Sequence, residues 1–292
     1  MPDVAVSLAQ LLAEATERLA AAGVPEPRRE ALWLWADPRG IAPARAWLER
    51  DRAVEPAEAD AFLDRVARRA AGEPRAYVTG SAGFRRLALR SDRRALIPRP
   101  ETEGLVELAL ECAPSGRIAD IGTGTGCIAL SLALEGRYDQ VVALDSSPAA
   151  LSLAAENHAA ARAAADGVAM APVSLVRGDL TAPLAAGSLD ALVSNPPYLT
   201  MAEWEALDPG VKAWEPAEAL ASGADGLDAV RALLDDGRRV LRAGGWVALE
   251  VDCTRARASA ELAQRAGWRE VTVRMDLFGR ERYLLARRSE DS

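Results

Sequence analysis

The run Ser194-Asn195-Pro196-Pro197-Tyr198 collects the residue types in this chain best suited to chemistry. Asn195 carries a carboxamide that can both donate and accept hydrogen bonds. Two prolines directly after an apolar stretch cannot continue a sheet, and they hold the backbone rigid with its carbonyls facing a set direction. Tyr198 adds a flat face and a hydroxyl. This set answers one chemical problem, the low nucleophilicity of a planar amide or aromatic amino nitrogen. A general base helps little there, because the nitrogen must first become pyramidal. The Asn195 side-chain oxygen and the Pro196 carbonyl offer two acceptors for the two N–H bonds. They would stabilise positive charge developing on nitrogen and aim its lone pair at an electrophilic carbon. Asn195, Pro196 and Tyr198 are therefore the candidate catalytic residues. The competing reading is a rigid turn without chemistry.

A second cluster is Asp120-Ile121-Gly122-Thr123-Gly124-Thr125-Gly126. Glycines between a strand and a helix let the backbone turn tightly and approach a ligand. Such a turn alone is weak evidence, since many nucleotide-binding folds have one. Here Cys127 stands where a dinucleotide fingerprint would place its last glycine. A pyrophosphate would want that helix close with its N-terminus open, whereas S-adenosylmethionine carries no phosphate. Asp145, at the end of the next apolar run, is expected to accept hydrogen bonds from ribose hydroxyls; an acid there serves dehydrogenases equally well and does not choose the cofactor. Asp179 is expected to close the third strand and face the adenine ring, with Leu180 packing on the ring or donating its backbone N–H to it. A turn or helix cap is the plainer role for Asp179.

The elements that must position these residues follow from the patterning. From 117 onward, strands RIADIG, QVVALD, VSLVRGD, ALVSNPP and WVALEV alternate with helical segments. That alternation implies an open, mostly parallel sheet wound on both faces. REVTVRMD and RYLLARR close the chain as a strand pair that can make one edge antiparallel. Residues 1–75 read as a small helical bundle, with Leu8, Leu11, Leu12, Ala15 and Leu19 at helical spacing and further helices from 27 and near Pro43 and Pro56. Residues 76–97 read as a β-hairpin linker, and 98–292 as the catalytic domain, whose first helix begins at Glu101 and Glu103.

Composition excludes several alternatives. His158 is the only histidine, so a multi-histidine zinc site is impossible, and in the run AAENHAAARAAA it reads as a solvated helix position. Cys112, Cys127 and Cys253 form no CxxC pair, so no metal site is expected. The net charge of −8 argues against nucleic acid and an anionic membrane, and there is no Lys/Arg-rich arm; Lys212 as the only lysine reads as composition bias. No apolar run is long enough to span a bilayer, and the N-terminus does not read as a signal peptide. A cytoplasmic address is expected.

Taken together, DIGTGTG followed by NPPY resembles amino-methyltransferases that act on nitrogen conjugated to a planar system. IPRPETE at 97–103 narrows this to the protein-(glutamine-N5) methyltransferases that modify peptide chain release factors, the HemK or PrmC family. EPRAYVTG at 73–80, Glu215-Pro216, GADGLD at 223–228 and DLFGRERYLLARR at 276–288 support the resemblance. It implies a class I S-adenosylmethionine-dependent methyltransferase fold, a seven-stranded, mostly parallel doubly wound sheet, with a small N-terminal helical domain. It also implies a substrate, the glutamine of the GGQ motif in bacterial class 1 release factors. Asn195, Pro196, Pro197 and Tyr198 would hold that glutamine. Gly122 to Gly126, Asp145, Leu180 and Asn195 would line the cofactor pocket, and Arg99, Pro100 and Glu101 would lie over it. One departure is Glu250-Val251-Asp252, where the family has Glu-Ile-Gly with a downstream Gln. That segment is expected to be peripheral to the chemistry.

Two other enzyme readings share the Asn-Pro-Pro-Tyr logic: a nucleic-acid amino-methyltransferase acting on adenine N6 or guanine N2, and a ribosomal-protein glutamine methyltransferase. The first would need phosphate contacts and base flipping, for which the pairs Arg68-Arg69, Arg85-Arg86 and Arg93-Arg94 are the only support. PRPETE favours release factors over the second. A catalytically silent binding module is opposed by the intact glycines, Asp145 and Asn195. A monomer is expected.

Overall fold

Prolines open three of the N-terminal helices. Pro27, Pro43 and Pro56 each stand in a first turn, where the missing N–H costs nothing and the fixed φ suits a helix. The computed structural model describes residues 6–207, 212–216 and 220–290. Its first helices are α1 (Leu8–Ala21), α2 (Pro27–Ala36), α3 (Pro43–Leu48), α4 (Pro56–Ala70) and α5 (Arg75–Thr79). α1 begins with a reciprocal cap: Gln10 N donates to Ser7 Oγ, and Ser7 N donates to Gln10 Oε1. Its apolar stripe, Leu8, Leu11, Leu12, Ala15 and Leu19, is buried with Leu34, Trp35, Phe62 and Val66. Trp35 and Phe62 meet edge to face, with ring centroids 5.3 Å apart. These helices form one unit that runs to Ser81, and a second unit runs from Ala82 to the C-terminus.

The stretch 76–97 is not a plain hairpin. Tyr77, Val78 and Thr79 belong to α5, which ends at Gly80 with φ +73°. Only β1 (Ser81–Phe84) and β2 (Leu87–Arg90) pair, and the chain from Ser91 to the next helix lacks regular structure.

The second unit continues with α6 (Thr102–Cys112), β3 (Ser115–Ile121), α7 (Cys127–Glu135), β4 (Arg137–Asp145), α8 (Pro148–Ala164), β5 (Val173–Arg177) and β6 (Leu189–Ser194). It ends with α9 (Met201–Ala206), α10 (Asp228–Val240), β7 (Leu241–Glu250), α11 (Ala256–Arg265), β8 (Arg269–Met275) and β9 (Glu281–Arg287). One seven-stranded sheet results, in the order β5-β4-β3-β6-β7-β9-β8. The first five strands in that order are parallel, and β9 runs antiparallel between β7 and β8. The doubly wound sheet with an antiparallel edge is thus as the strand–helix alternation predicts. Alternation along β3 assigns its faces. Ile118 joins the core beneath α6 and α7, while Ala119 and Ile121 join the core beneath α10 and α11. Both faces are covered, so the inner strands read as near-continuous apolar runs.

The register then gathers the strand ends. Ile121 pairs with Leu144, Asp145 with Arg177, and Ser194 with Leu249. The carboxyl ends of β3, β4, β5 and β6 therefore lie side by side, and the loops that follow them share one edge of the sheet.

Candidate active site

A cavity of about 640 Å3 opens at that edge, within the size range of small-molecule sites. Gly122, Thr123, Gly124 and Thr125 line it from the turn after β3. Asp145 lines it from the end of β4, Asp179 and Leu180 from the loop after β5, and Asn195, Pro196 and Pro197 from the loop after β6. A further wall is the irregular stretch Arg94 to Arg99, together with Thr102.

The glycine-rich turn folds as it does because three glycines adopt positive φ, +73° at Gly122, +56° at Gly124 and +85° at Gly126. They serve different ends. A Cβ at Gly122 would meet nothing within 4 Å, whereas one at Gly126 would come to 3.2 Å from Leu130 and 3.4 Å from Ala154. Gly126 does not line the cavity. Its positive φ and the closeness of Leu130 and Ala154 let α7 start against α8. Asp145 accepts from Gly124 N at 2.9 Å through one oxygen and from Ser147 N at 2.9 Å through the other. These bonds orient the carboxylate at the cavity wall and leave each oxygen a further acceptor site. Asp120 lies beneath the turn, fully buried, accepting from Thr123 Oγ1 at 2.6 Å and Ala129 N at 3.1 Å. Its other oxygen has no partner among the described residues, and burial, with the charge of Asp145 adding to it, pushes its carboxyl up to about 7.

Asp179 lies two residues beyond β5, which ends at Arg177; it does not close the strand as expected, but it does reach the cavity. Its neighbour Leu180 holds φ +44°, a conformation that a branched residue adopts only where its surroundings impose it.

At the end of β6, Ser194 Oγ donates to the Ile121 carbonyl at 2.6 Å and ties this loop to the glycine turn. Asn195 Nδ2 donates to Thr102 Oγ1 at 3.1 Å, and Thr102 Oγ1 donates to Glu250 Oε2 at 2.7 Å. Among the described residues Asn195 Oδ1 and the Pro196 carbonyl have no partner, so both acceptors are available. Tyr198 does not line the cavity. Its backbone N–H donates to the Leu220 carbonyl at 3.1 Å, and its phenol is pushed up to about 12 by burial, then by Glu250. Tyr198 is thus a mostly buried neighbour of the site and stays protonated at neutral pH. Its carbonyl leaves room only for glycine at Gly226, where a Cβ would fall 2.3 Å away. That contact gives the GADGLD segment its purpose.

Three residues important to the site escaped the sequence reading. Asn157 of α8 binds both backbone groups of Arg90 and donates to the Thr125 carbonyl at 2.9 Å, fastening β2 to the glycine turn. Thr102 and Glu250 are each 1% exposed and connect to Asn195. The segment 250–252 is therefore not peripheral, because β7 carries Glu250 to the level of Asn195 in the sheet. Of the family's signals, the glutamate shared with the Glu-Ile-Gly stretch could have pointed to Glu250; nothing local marks Asn157. Pro100 and Glu101 do not line the cavity. Arg99 does, and its Nη2 donates to both oxygens of Glu215 at 2.7 Å.

All but Arg86 of the paired arginines are engaged within the protein, and Arg86 is exposed. Arg68 binds Glu73, Arg69 binds Glu30, Arg85 binds Glu135, and Arg94 binds Asp92 and Glu156. Arg93 stacks on Trp214, 4.0 Å from the ring centroid. The cationic side chains lining the cavity, Arg94 and Arg99, both already hold carboxylates, which leaves no free clamp for a pyrophosphate. No metal-binding cluster occurs among the described residues, and no helix there is long and apolar enough to cross a membrane.

Comparison with known proteins agrees with this geometry. Residues 10–80 match the PrmC N-terminal domain, and residues 102–207 match the methyltransferase small domain. The chain is 43% identical to the release factor glutamine methyltransferase of Cereibacter sphaeroides, over 96% of this chain and 98% of that one. It is 43% identical to that of Moorella thermoacetica, over 98% and 100%, and 42% identical to that of Deinococcus radiodurans, over 97% and 99%. A methyltransferase structure from Pyrococcus furiosus shares the fold, with TM-score 0.51 at 19% identity over 78% of this chain and 100% of that one. With relatives this similar along nearly its whole length, the chain belongs to the release factor glutamine methyltransferase family.

Proposed function

We propose that this enzyme transfers a methyl group from S-adenosylmethionine to the side-chain amide nitrogen of the glutamine in the GGQ motif of bacterial class 1 release factors. The observation that carries the reading is the pair of unpartnered acceptors, Asn195 Oδ1 and the Pro196 carbonyl, at the rim of a cavity suited to the cofactor.

The fit to S-adenosylmethionine rests on the donor set. Asp145 would accept from the ribose hydroxyls. Open space above Gly122 admits the ligand against the backbone. Asp179 and Leu180 would flank the adenine, and Thr123, Gly124 and Thr125 complete the turn. Carboxylates and backbone groups without a free cation suit a ligand that carries a sulfonium and no phosphate. When bound, the cofactor supplies an electrophilic methyl group.

The chain's own residues then do the rest. Asn195 and Pro196 accept the two amide N–H bonds of the glutamine, which holds the nitrogen in place and stabilises its positive charge as the lone pair is withdrawn from conjugation. That interaction strengthens as the charge grows, so it lowers the barrier rather than only tightening binding. Pro197 keeps the loop rigid. Tyr198, held protonated, backs the loop and does not serve as a base. The N-terminal helices, residues 1–75, are assigned to docking the release factor, with the hairpin region 76–97 as linker. The working unit is a monomer, and its substrate, a translation factor, gives it a cytoplasmic place of work.

The test is methyl transfer from labelled S-adenosylmethionine to a purified release factor, beside the same factor with its GGQ glutamine changed to alanine. Label on the first and none on the second is the expected result. Label on both, or on neither with the cofactor bound, would refute this acceptor.

A further inference from the structure

Asn195 can serve as an acceptor only if its carboxamide faces the right way. A carboxamide turned over would present N–H groups to the substrate's own N–H groups and repel them. The hydrogen-bond count in this structure decides the orientation. A hydroxyl has one hydrogen. Thr102 spends it on Glu250 at 2.7 Å, and its oxygen can then only accept from Asn195, at 3.1 Å. The partner must be Nδ2, which leaves Oδ1 toward the cavity.

The fold builds this chain deliberately. Ser194 pairs with Leu249 across β6 and β7, and one step further along lie Asn195 and Glu250. Thr102 is the first residue of α6 and drops between them. Glu250 and Thr102 are both 1% exposed, so water cannot compete for either bond.

We propose that Glu250, acting through Thr102, is a positioning residue that locks the Asn195 carboxamide with its oxygen toward the acceptor nitrogen and passes negative charge toward it. The lock holds while Glu250 is ionised. A protonated Glu250 can donate to Thr102, which frees the threonine hydrogen to bind Asn195 Oδ1 and admits the wrong orientation. The groups facing Glu250 are Thr102 and Glu101 at the start of α6, Tyr198 after β6, Arg282 and Tyr283 on β9, Asp276 before β9, and Cys127 on α7. Burial pushes Glu250 up to about 7, against the opposing pull of the Thr102 hydrogen bond and of Arg282, so the lock would close as pH rises through neutrality.

This inference rests on the reading of Asn195 given under the proposed function. The experiment compares wild type with Thr102→Val, Thr102→Ser and Glu250→Gln, measuring kcat and KM for the release factor, cofactor Kd and Tm. Thr102→Val is expected to lower kcat about tenfold or more with KM and cofactor Kd within about threefold. Thr102→Ser, which keeps the hydroxyl, is expected to retain most of kcat. Wild-type kcat is expected to rise between pH 6 and 8, and Glu250→Gln to lose that limb. A merely structural role would lower Tm without splitting kcat from KM. Near-wild-type kcat in Thr102→Val, equal loss in Thr102→Ser, or an unchanged pH limb in Glu250→Gln would overturn the proposal. A readout independent of turnover is the 15N side-chain signal of Asn195, which is expected to titrate with pH in wild type and not in Glu250→Gln. A wild type that methylates no release factor yet shows this titration would refute the substrate reading while supporting the lock.

Discussion

Arg99 Nη2 donates to both carboxylate oxygens of Glu215 at 2.7 Å, joining two segments that lie 116 residues apart at the cavity wall. Glu215 has a side chain only 4% exposed, while that of Arg99 is 38% exposed. The carboxylate is thus the group that needs its partner. Arg99→Ala strands a buried charge and is expected to cost about 1–3 kcal/mol, with a weaker cofactor as well. Thermal unfolding and cofactor titration of the variant check this, and an unchanged Tm would show that the pair contributes nothing.

Asn195→Ala removes one of the two acceptors without touching the wall around Asp145. Cofactor affinity is expected to stay within about tenfold, while methyl transfer falls by about 100-fold or more, since the lost contact matters chiefly in the transition state. Isothermal titration beside single-turnover kinetics separates the two effects.

The glycines at 122 and 126 are predicted to fail differently. Gly126→Ala must hold φ near +85° with its Cβ 3.2 Å from Leu130, at a cost of about 1–3 kcal/mol, so its Tm drops first. Gly122→Ala carries similar backbone strain but points its Cβ into open space. Its larger effect is expected on cofactor Kd. Equal losses of Kd in both variants would contradict the distinction.

Burial raises the Asp120 carboxyl from 3.8 to about 7. A carboxyl raised in the folded state binds more protons there than when unfolded, so stability is greatest below the unfolded value and is lost as pH rises through about 7. The wild type is expected to lose on the order of 2–4 kcal/mol from this group between pH 4 and pH 8, and Asp120→Asn to lose less over the same range. Chemical denaturation at several pH values measures the difference. A wild-type curve no steeper than that of the variant would mean that Asp120 stays ionised in the fold.

The sequence by itself determined what local physics dictates. Apolar strand segments alternating with helical segments define the doubly wound sheet. Prolines at 27, 43 and 56 open helices, and Asn195-Pro196-Pro197 has to leave the sheet after β6 because proline cannot extend it. Those residues, the glycine turn and Asp145 were legible because strand ends in a parallel sheet share one edge, so short motifs after successive strands must meet. Only the tertiary structure decided the rest. Gly126 and Tyr198 belong to the same motifs as their cavity-lining neighbours, but backbone direction keeps them off the cavity wall. Thr102, Asn157 and Glu250 act through bonds to residues 93, 32 and 148 positions away, set by sheet register and helix docking. No local pattern records such a contact, because a buried threonine or glutamate looks the same in sequence whether its partner is a catalytic amide or a plain cap.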